Sequence, residues 1–349
     1  MIEQATDGAV VISYKELCSS PESLLPAIEK AFGSDPDCLG IIVVKDLPPA
    51  YANYRERLLK LAFCFGNLDE ALREKYSDPS TKYSFGWSHG KEIMNGKPDT
   101  LKGSYYANPI GEDVEISADD KSEFPEYYGR NIWPNGDEKG VEGFEDAFKD
   151  LSKFIFQVGC KLAAACQPFA TSHLLDSTIS LADLIKDSPT TKARLLHYFP
   201  PPPDAVQSDG DDAIDNWCGF HLDHSLITGL CPAMFLRPSS TGEPEVVPNP
   251  SPLSGLYIRT RGGDLKKVSI PSGCLAFQTG EALEVATDKK LRATPHCVRV
   301  DQQDGGGTIS RESFALFMQP HTSQLLNSTT TFGKFSKQIF AEHYNSDSM

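Results

Sequence analysis

The sequence predicts an α+β protein with a mainly β core of the jelly-roll kind, and two observations carry that prediction. From about residue 191, short β-type runs follow one another, separated by Gly, Pro and other turn residues. Many short strands punctuated in this way are typical of a sandwich or jelly roll. Before that point the chain is mixed and mostly helical, because its apolar residues recur at helical spacing.

In the first half, the spacing predicts helices over residues 19–33, 50–76 and 143–169, and a β-branched run predicts a strand over 39–49. Residues 77–140 are rich in Gly, Asp, Pro and aromatic residues, which indicates a long ordered loop. We therefore expect a mostly helical region over 1–190, a β core over 191–320 and a C-terminal tail with a short helix over 321–349. We expect these three parts to form one integrated domain.

The β core is predicted from a series of short segments, separated by polar loops at 200–216 and 301–310. The predicted strand segments are ARLLHYF (193–199), WCGFHLDHSLITGL (217–230), GLYIRT (255–260), LKKVSI (265–270), GCLAFQTG (273–280), ATPHCVRV (293–300) and ESFALFMQP (312–320).

Composition excludes several classes of protein. The net charge is −15, and no cluster of Lys and Arg supplies the basic face that nucleic acid binding requires. No apolar stretch approaches the roughly 18 to 20 residues that span a bilayer, and the N-terminal sequence lacks the pattern of an export signal. The nine cysteines include no CxxC pair, which favours free thiols in a reducing compartment. We therefore expect a cytoplasmic protein that contacts neither membrane nor nucleic acid.

One segment, GFHLDHSLITGL, places three ionisable groups in an otherwise apolar run. Side chains alternate along a strand, so His221 and Asp223 are predicted to share one face while His224 lies on the other. His296 is the histidine of the later strands and could supply a third ligand. Two His and one carboxylate that leave positions open suit Fe(II). A buried His–Asp hydrogen bond is the simpler alternative, and zinc is another.

A second pair of residues favours a binding site over a structural role. Arg311 and Ser313 lie two positions apart at the start of the last predicted strand, and so on one face. An arginine fork binds a carboxylate through two hydrogen bonds, and a neighbouring hydroxyl adds a donor. The pair could anchor the far carboxylate of a dicarboxylate that reaches the metal. The alternative is a surface arginine beside a serine.

With these residues, the sequence resembles the isopenicillin N synthase-like group of Fe(II)/2-oxoglutarate oxygenases. The resemblance lies in His221-x-Asp223, His296 and Arg311-x-Ser313, and in the segment GEALE (280–284) before the distal histidine. The N-terminal order of VISYKEL, the AIEKAF helix and LGIIVVKDLP is also similar to that group. The resemblance spans nearly the whole chain.

The resemblance implies a cupin-like double-stranded β-helix with N-terminal helices packed against one sheet. It implies that His221, Asp223 and His296 hold Fe(II), and that 2-oxoglutarate chelates the iron while Arg311 and Ser313 bind its distal carboxylate. With O2, such enzymes release succinate and CO2 and hydroxylate, demethylate or desaturate a small molecule. The alternatives are an Fe(II) oxidase of the same fold that does not use 2-oxoglutarate, and a non-catalytic sensor that binds metal or ligand.

Two features depart from that group. The text His197-Tyr198-Phe199-Pro200 stands where many members have Asn-Tyr-Tyr-Pro, so Phe199 replaces a tyrosine whose hydroxyl contacts 2-oxoglutarate. His197 or a water molecule could replace that contact. The loop between His296 and Arg311 is also longer, through a glycine-rich insertion at 305–307.

The substrate pocket is predicted only from composition. Two aromatic, glycine-rich segments, KYSFGWSHG (82–90) and GSYYANP (103–109), are expected to cross the mouth of the barrel. They suggest Tyr83, Phe85, Trp87 and Tyr105 as pocket residues, with ordinary packing as the alternative. The substrate and the oligomeric state do not follow from the sequence.

Overall fold

Two facing β-sheets and a layer of helices make up the protein. The computed structural model describes residues 2–94, 97–112, 114–134, 138–200, 218–299 and 307–344. The predicted loop over 200–216 lies, apart from Pro200, outside these residues, as does most of 301–310.

The helices lie mainly in the first half of the chain. They are α1 (Tyr14–Ser19), α2 (Leu25–Phe32), α3 (Ala50–Gly66), α4 (Glu70–Glu74), α5 (Ala118–Glu123), α6 (Pro125–Tyr128), α7 (Phe144–Thr171), α8 (Leu181–Lys186), α9 (Glu281–Ala286) and α10 (Phe332–Tyr344), with 3-10 turns at Pro21–Leu24 and Pro79–Thr81.

The strands are distributed along the whole chain. They are β1 (Glu3–Gln4), β2 (Val10–Ser13), β3 (Ile41–Lys45), β4 (Gly86–His89), β5 (Ile93–Met94), β6 (Lys97–Pro98), β7 (Lys102–Ala107), β8 (Lys192–Tyr198), β9 (Cys218–His221), β10 (Ile227–Leu230), β11 (Met234–Arg237), β12 (Glu245–Val247), β13 (Gly255–Arg259), β14 (Leu265–Val268), β15 (Leu275–Thr279), β16 (His296–Arg299) and β17 (Ser310–Met318).

The β core is a double-stranded β-helix. The larger sheet contains the strand order β15-β10-β17-β8, and the smaller sheet has the order β14-β13-β16-β9. Along the chain, β8, β10, β15 and β17 belong to the larger sheet, while β9, β13, β14 and β16 belong to the smaller one. This repeated crossing between two antiparallel sheets produces a jelly roll and confirms the predicted fold class.

The N-terminal half is continuous with this core. Strands β1, β2 and β3 extend the larger sheet beyond β15, and β7 and β4 extend it beyond β8. The longest helix, α7, buries one apolar stripe that includes Phe148, Leu151 and Ile155. It contacts β10 and β17, and α3 contacts β8 and β17. Helices therefore cover one face of the larger sheet, as expected.

Glycine allows the long helix to approach the sheet closely. A Cβ added at Gly159 of α7 would collide with Met318, and one added at Gly229 of β10 would lie 2.5 Å from Ile155 Cγ2. Such distances are shorter than van der Waals contact, so larger residues would force the two layers apart.

The prediction of a long loop over 77–140 is wrong for the described residues of that segment. They include β4 and β7, which pair with each other in the larger sheet, and helices α5 and α6. Their aromatic residues alternate with glycine and polar residues, and this strand pattern was obscured by the glycine content. Within the described part of the chain, no helix combines the length and the apolar character needed to cross a membrane.

Candidate active site

Three predicted metal ligands converge between the two sheets. His221 ends β9, His296 begins β16, and the pairing of these strands places the two residues opposite each other. Their Nε2 atoms lie 3.8 and 3.7 Å from Asp223 Oδ1. Asp223 lies beyond the end of β9, so the turn after the strand, rather than strand alternation, brings its carboxylate to the histidines. The three ligand atoms lie within 4.8 Å of one another, close enough to bind one ion.

Backbone hydrogen bonds orient both imidazoles. His221 Nδ1 lies 2.8 Å from Gly219 O, and His296 Nδ1 lies 2.9 Å from Thr294 O. A carbonyl oxygen accepts a hydrogen bond, so the proton of each ring belongs on Nδ1 and Nε2 is left as the ligand atom. Such outer hydrogen bonds are typical of histidines that bind metal.

Asp223 is fixed by an amide. Gln278, fully buried on β15, donates from Nε2 to Asp223 Oδ2 at 2.7 Å, which leaves Oδ1 toward the two imidazoles. Burial raises the pKa of Asp223, but the neighbouring His296 and His221 outweigh burial and lower it. Burial, together with His221, lowers the pKa of His296 to about 4. Near neutral pH these two residues therefore offer a carboxylate and a neutral imidazole. Burial lowers the pKa of His221, but Cys218 and Asp223 outweigh burial and raise it to about 9, so metal binding at its Nε2 displaces a proton.

The donor set fits Fe(II). Two imidazole nitrogens and one carboxylate oxygen project from one side, which is the arrangement that non-haem iron oxygenases use. Cys218 Sγ lies 3.7 Å from His221 Nδ1, on the nitrogen that is turned away from Asp223. The thiol is therefore not placed as a fourth member of the set.

The GEALE segment (280–284) packs against the turn that carries Asp223 and contacts the chain before His296. A Cβ on Gly280 would lie 2.8 Å from Asp223 O, so only glycine allows this segment to pack against the turn that carries Asp223. Glu281 Oε2 lies 2.7 Å from His224 Nδ1, and the Ala293 N–H donates to Glu284 Oε2 at 2.7 Å. The segment thus fixes the chain before both His296 and Asp223. His224 pairs with Glu281 and does not join the other ligands.

Arg311 and Ser313 lie on the inner face of the larger sheet. The Arg311 side chain is only 6% exposed, and its Nη1 donates to Ser313 Oγ at 3.4 Å. Its guanidinium lies over the Tyr198 ring at 4.8 Å, and its buried Nε has no hydrogen-bond partner in the structure. No carboxylate among the described residues lies within 4.0 Å of it. Since an isolated buried cation is costly, the geometry favours an anionic ligand here.

One cavity of about 210 Å³ contains both groups of residues. It is lined by His221, Asp223 and His296 at one place and by Arg311 and Ser313 at another. Leu196, Val298 and Phe317 contribute apolar walls between the sheets. A small dicarboxylate could therefore reach from the arginine to the three ligands inside a largely apolar space.

The predicted role of His197 is corrected by the structure. His197 pairs in register with Glu312, and its Nδ1 lies 2.9 Å from Glu312 Oε1, on the face of the sheet opposite Arg311. Tyr198, which pairs with Arg311, is the residue that lines the cavity. Phe199 packs instead against His89 and His197. The cavity is therefore lined by a tyrosine at position 198, while position 199 lies outside it.

The four aromatic pocket candidates do not line this cavity. Phe85, Trp87 and Tyr105 are each at most 2% exposed; Trp87 and Tyr105 pack around Phe65 of α3. Tyr83 is half-buried and lies under Lys91. Trp87 of β4 and Tyr105 of β7 pack against α3, and Phe85 is fully buried, so burial explains three of the four aromatic side chains.

Three residues that border the site were not predicted from the sequence: Tyr198, Gln278 and Arg194. Arg194 and Tyr198 share the inward face of β8 with Leu196, and strand alternation from Arg311 would have indicated them. Gln278 carried a weaker signal, a polar residue within the apolar run LAFQT.

Similar structures identify the fold. A protein of Caulobacter crescentus named as a candidate 2OG-Fe(II) oxygenase superposes with a TM-score of 0.67 at 18% identity, covering 98% of this chain and 99% of its own. A full-length Neurospora crassa protein in complex with α-KG superposes with a TM-score of 0.63 at 18% identity, covering 93% of this chain and 90% of its own. The chain has the fold of a 2OG-Fe(II) oxygenase.

A third protein with this oxygenase fold comes from Shewanella oneidensis, with a TM-score of 0.62 at 19% identity over 95% of this chain and 98% of its own. No protein-family model matches the sequence, and no curated protein matches it significantly. These proteins therefore share a fold with this chain at only 18% to 19% sequence identity.

Proposed function

We propose that this protein is a non-haem Fe(II)- and 2-oxoglutarate-dependent dioxygenase that hydroxylates, demethylates or desaturates a small molecule. One observation carries the proposal: the buried Arg311, which lacks a carboxylate partner in the described chain, shares a cavity with His221, Asp223 and His296. A role in metal binding alone gives no reason for that arginine.

Each of these residues has a distinct role in the proposal. His221 Nε2, His296 Nε2 and Asp223 Oδ1 would hold Fe(II), with Gln278 and the backbone carbonyls of Gly219 and Thr294 fixing their orientation. Arg311 and Ser313 would bind the distal carboxylate of 2-oxoglutarate. The bound iron, 2-oxoglutarate and O2 supply the oxidising chemistry, with succinate and CO2 as products. The apolar cavity walls exclude water from it.

The ligands of similar structures support a small organic substrate. The same Neurospora crassa protein is described in complexes with α-KG and thymine or 5-formyluracil, and JOX2 in complex with 2OG, Fe and JA. These ligands belong to those proteins, and the identities of 15% to 17% do not extend them to this chain.

An anaerobic Fe(II) titration with and without 2-oxoglutarate tests the proposal. We expect a weak visible charge-transfer band only when both are present. The band should be absent from Arg311→Met and retained in Arg237→Met, a control that removes an exposed arginine paired with Glu245. Iron binding without the band would indicate the oxidase that does not use 2-oxoglutarate. Failure to bind iron would contradict the proposal entirely.

A further inference from the structure

A second cation lines the same cavity in a different chemical setting. Arg194 of β8 donates from Nη2 to Glu92 Oε1 and Oε2 at 2.8 and 3.0 Å, and from Nε to Ser104 Oγ at 3.0 Å. Tyr106 lies under its guanidinium and donates its hydroxyl to Glu92 Oε1. We name Glu92, Lys102, Ser104, Tyr106 and Arg194 the polar wall.

The polar wall is electrically balanced. Lys102, which is 3% exposed, lies 3.2 Å from Glu92 and 2.8 Å from Asp99, so two cations face two carboxylates. Burial raises the pKa of Glu92, but Arg194 and Lys102 outweigh burial and lower it well below its usual range. The carboxylate therefore stays ionised, and the charge of Arg194 is compensated within the protein.

The polar wall lies apart from the predicted carboxylate anchor. Tyr198 pairs with Arg311, whereas Arg194 pairs with Ala315, four residues further along β17. Four residues of strand correspond to about 13 Å. On the neighbouring β10, Thr228 pairs with Phe317, and its hydroxyl lies 2.9 Å from the hydroxyl of Ser225, two residues after Asp223. Along the sheet, Arg194 therefore lies closer than Arg311 to the level of the three metal ligands.

Arg194 has donors that no described residue uses. Its Nε and Nη2 are bound by Ser104 and Glu92, but Nη1 has no hydrogen bond to any described residue and is not among the buried atoms left without partners. The side chain is 14% exposed and lines the cavity. Two N–H groups held by a rigid network can therefore meet a ligand.

We infer that Arg194 is a specificity-determining residue that binds a carbonyl oxygen of an uncharged substrate, such as an amide or imide. Glu92 already neutralises the guanidinium, so a substrate carboxylate would compete with Glu92 and would bring an uncompensated charge into a buried site. A neutral carbonyl accepts the Nη1 hydrogen bonds without that cost. The inference rests on the proposed function, because it assigns the substrate end of the same cavity.

Calorimetric titrations of matched amides and acids test the inference. The probes are benzamide and benzoate, nicotinamide and nicotinate, and indole-3-acetamide and indole-3-acetate, added to the anaerobic complex with Fe(II) and 2-oxoglutarate. We expect at least one amide to bind about 10-fold more tightly than its acid. Arg194→Met should weaken that amide by about 10-fold or more, while Arg194→Lys should weaken it less. Arg237→Met is the matched control and should change nothing.

Glu92→Gln gives an outcome that a merely structural role would not produce. Without the carboxylate, Arg194 becomes an uncompensated cation, so the preference should shift by about 10-fold toward the acids. The inference is overturned if no amide binds, if the acids bind as tightly to the unaltered protein, or if Arg194→Met keeps the amide affinity. If the unaltered protein nevertheless shows the visible band with Fe(II) and 2-oxoglutarate, only this inference fails. If the unaltered protein shows no such band, the proposed function itself fails.

Discussion

The two faces of the β8–β17 pair bury polar groups in opposite ways. On the helix side, Glu312 lies 2.9 Å from His197 Nδ1 and accepts from Ser310 Oγ at 2.6 Å. On the cavity side, one residue away along β17, Arg311 has neither a carboxylate partner among the described residues nor a hydrogen bond to its Nε. Glu312 and His197 thus satisfy each other within the protein, whereas Arg311 is satisfied only with a ligand.

Whether a buried charge has a partner within the protein indicates whether it serves the fold or binds a ligand. A buried polar group that serves the fold finds its partners within the protein. An arginine cannot discard its proton at any ordinary pH, so leaving it unpaired costs stability unless a ligand binds. Adjacent residues on one strand can therefore have unrelated roles, and their partners within the protein distinguish them.

The largest effect is expected from Arg311→Met. Affinity for 2-oxoglutarate should fall at least about 100-fold, because a buried charge-assisted pair is lost. The free energy of unfolding without ligand should not fall, since the substitution removes an unpaired buried cation. Calorimetry with 2-oxoglutarate and urea denaturation measure the two quantities. A variant that is less stable but still binds 2-oxoglutarate normally would mean that Arg311 serves the fold and not ligand binding.

Glu312→Leu should show the opposite behaviour. It leaves His197 Nδ1 without its partner in the core, so we expect a loss of about 3 kcal/mol in the free energy of unfolding. Affinity for 2-oxoglutarate should stay within about 2-fold, because Glu312 faces the helices. Urea denaturation tests the first expectation. A large loss of 2-oxoglutarate affinity at unchanged stability would contradict the assignment of faces.

Lys192 sharpens the comparison because it is a buried basic side chain away from the cavity. Its Nζ donates to Ser84 O at 2.8 Å and lies 3.8 Å from the Phe85 ring centre. Burial lowers the pKa of Lys192 to about 7. A lysine, unlike an arginine, can thus be neutral in the folded protein.

The stability should depend on pH accordingly. Between pH 7 and about 10.5 the unfolded chain binds the Lys192 proton and the folded protein does not, so stability should rise with pH by roughly 1.4 kcal/mol per unit. Lys192→Met should abolish that contribution and stabilise the protein at pH 7 by about 2 to 4 kcal/mol. Urea denaturation at pH 7 and pH 10 measures both. An unchanged slope in the variant would contradict a neutral buried lysine.

The smallest effect on 2-oxoglutarate affinity is expected from substitutions at Tyr198 and Phe199. Tyr198→Phe should weaken 2-oxoglutarate binding by about 3- to 10-fold, because one hydrogen-bonding group beside Arg311 is lost. Phe199→Leu should leave it unchanged, since Phe199 packs against His89 and His197. Equal effects of the two substitutions would contradict the register of β8.

Much of the fold followed from local patterns. The predicted helix over 143–169 corresponds to α7, and the predicted strand over 312–320 corresponds to most of β17, because each has one clear period and a long apolar face. The strands β4 and β7 were missed because their residues pack on both faces and glycine interrupts their pattern. Tertiary pairing, not local preference, determines such strands.

The set of residues that meet in the cavity was predictable, although a turn after β9, and not strand alternation, brings Asp223 to the histidines. His221, Asp223, His296, Arg311 and Ser313 meet in one cavity, as the spacing and the resemblance suggested. His197 was misplaced because a shift of one residue moves a side chain to the other face of a sheet. The polar wall could not be predicted, since Tyr106 reaches Arg194 only through the pairing of β7 with β8, and Glu92 comes from a separate segment between β4 and β5.

The most direct test of the central claim is a crystal structure of the anaerobic complex with Fe(II) and 2-oxoglutarate. We expect the distal carboxylate within hydrogen-bond distance of Arg311 and Ser313, with the metal bound by His221, Asp223 and His296. A carboxylate bound instead at Arg194, or a metal bound elsewhere, would contradict the account.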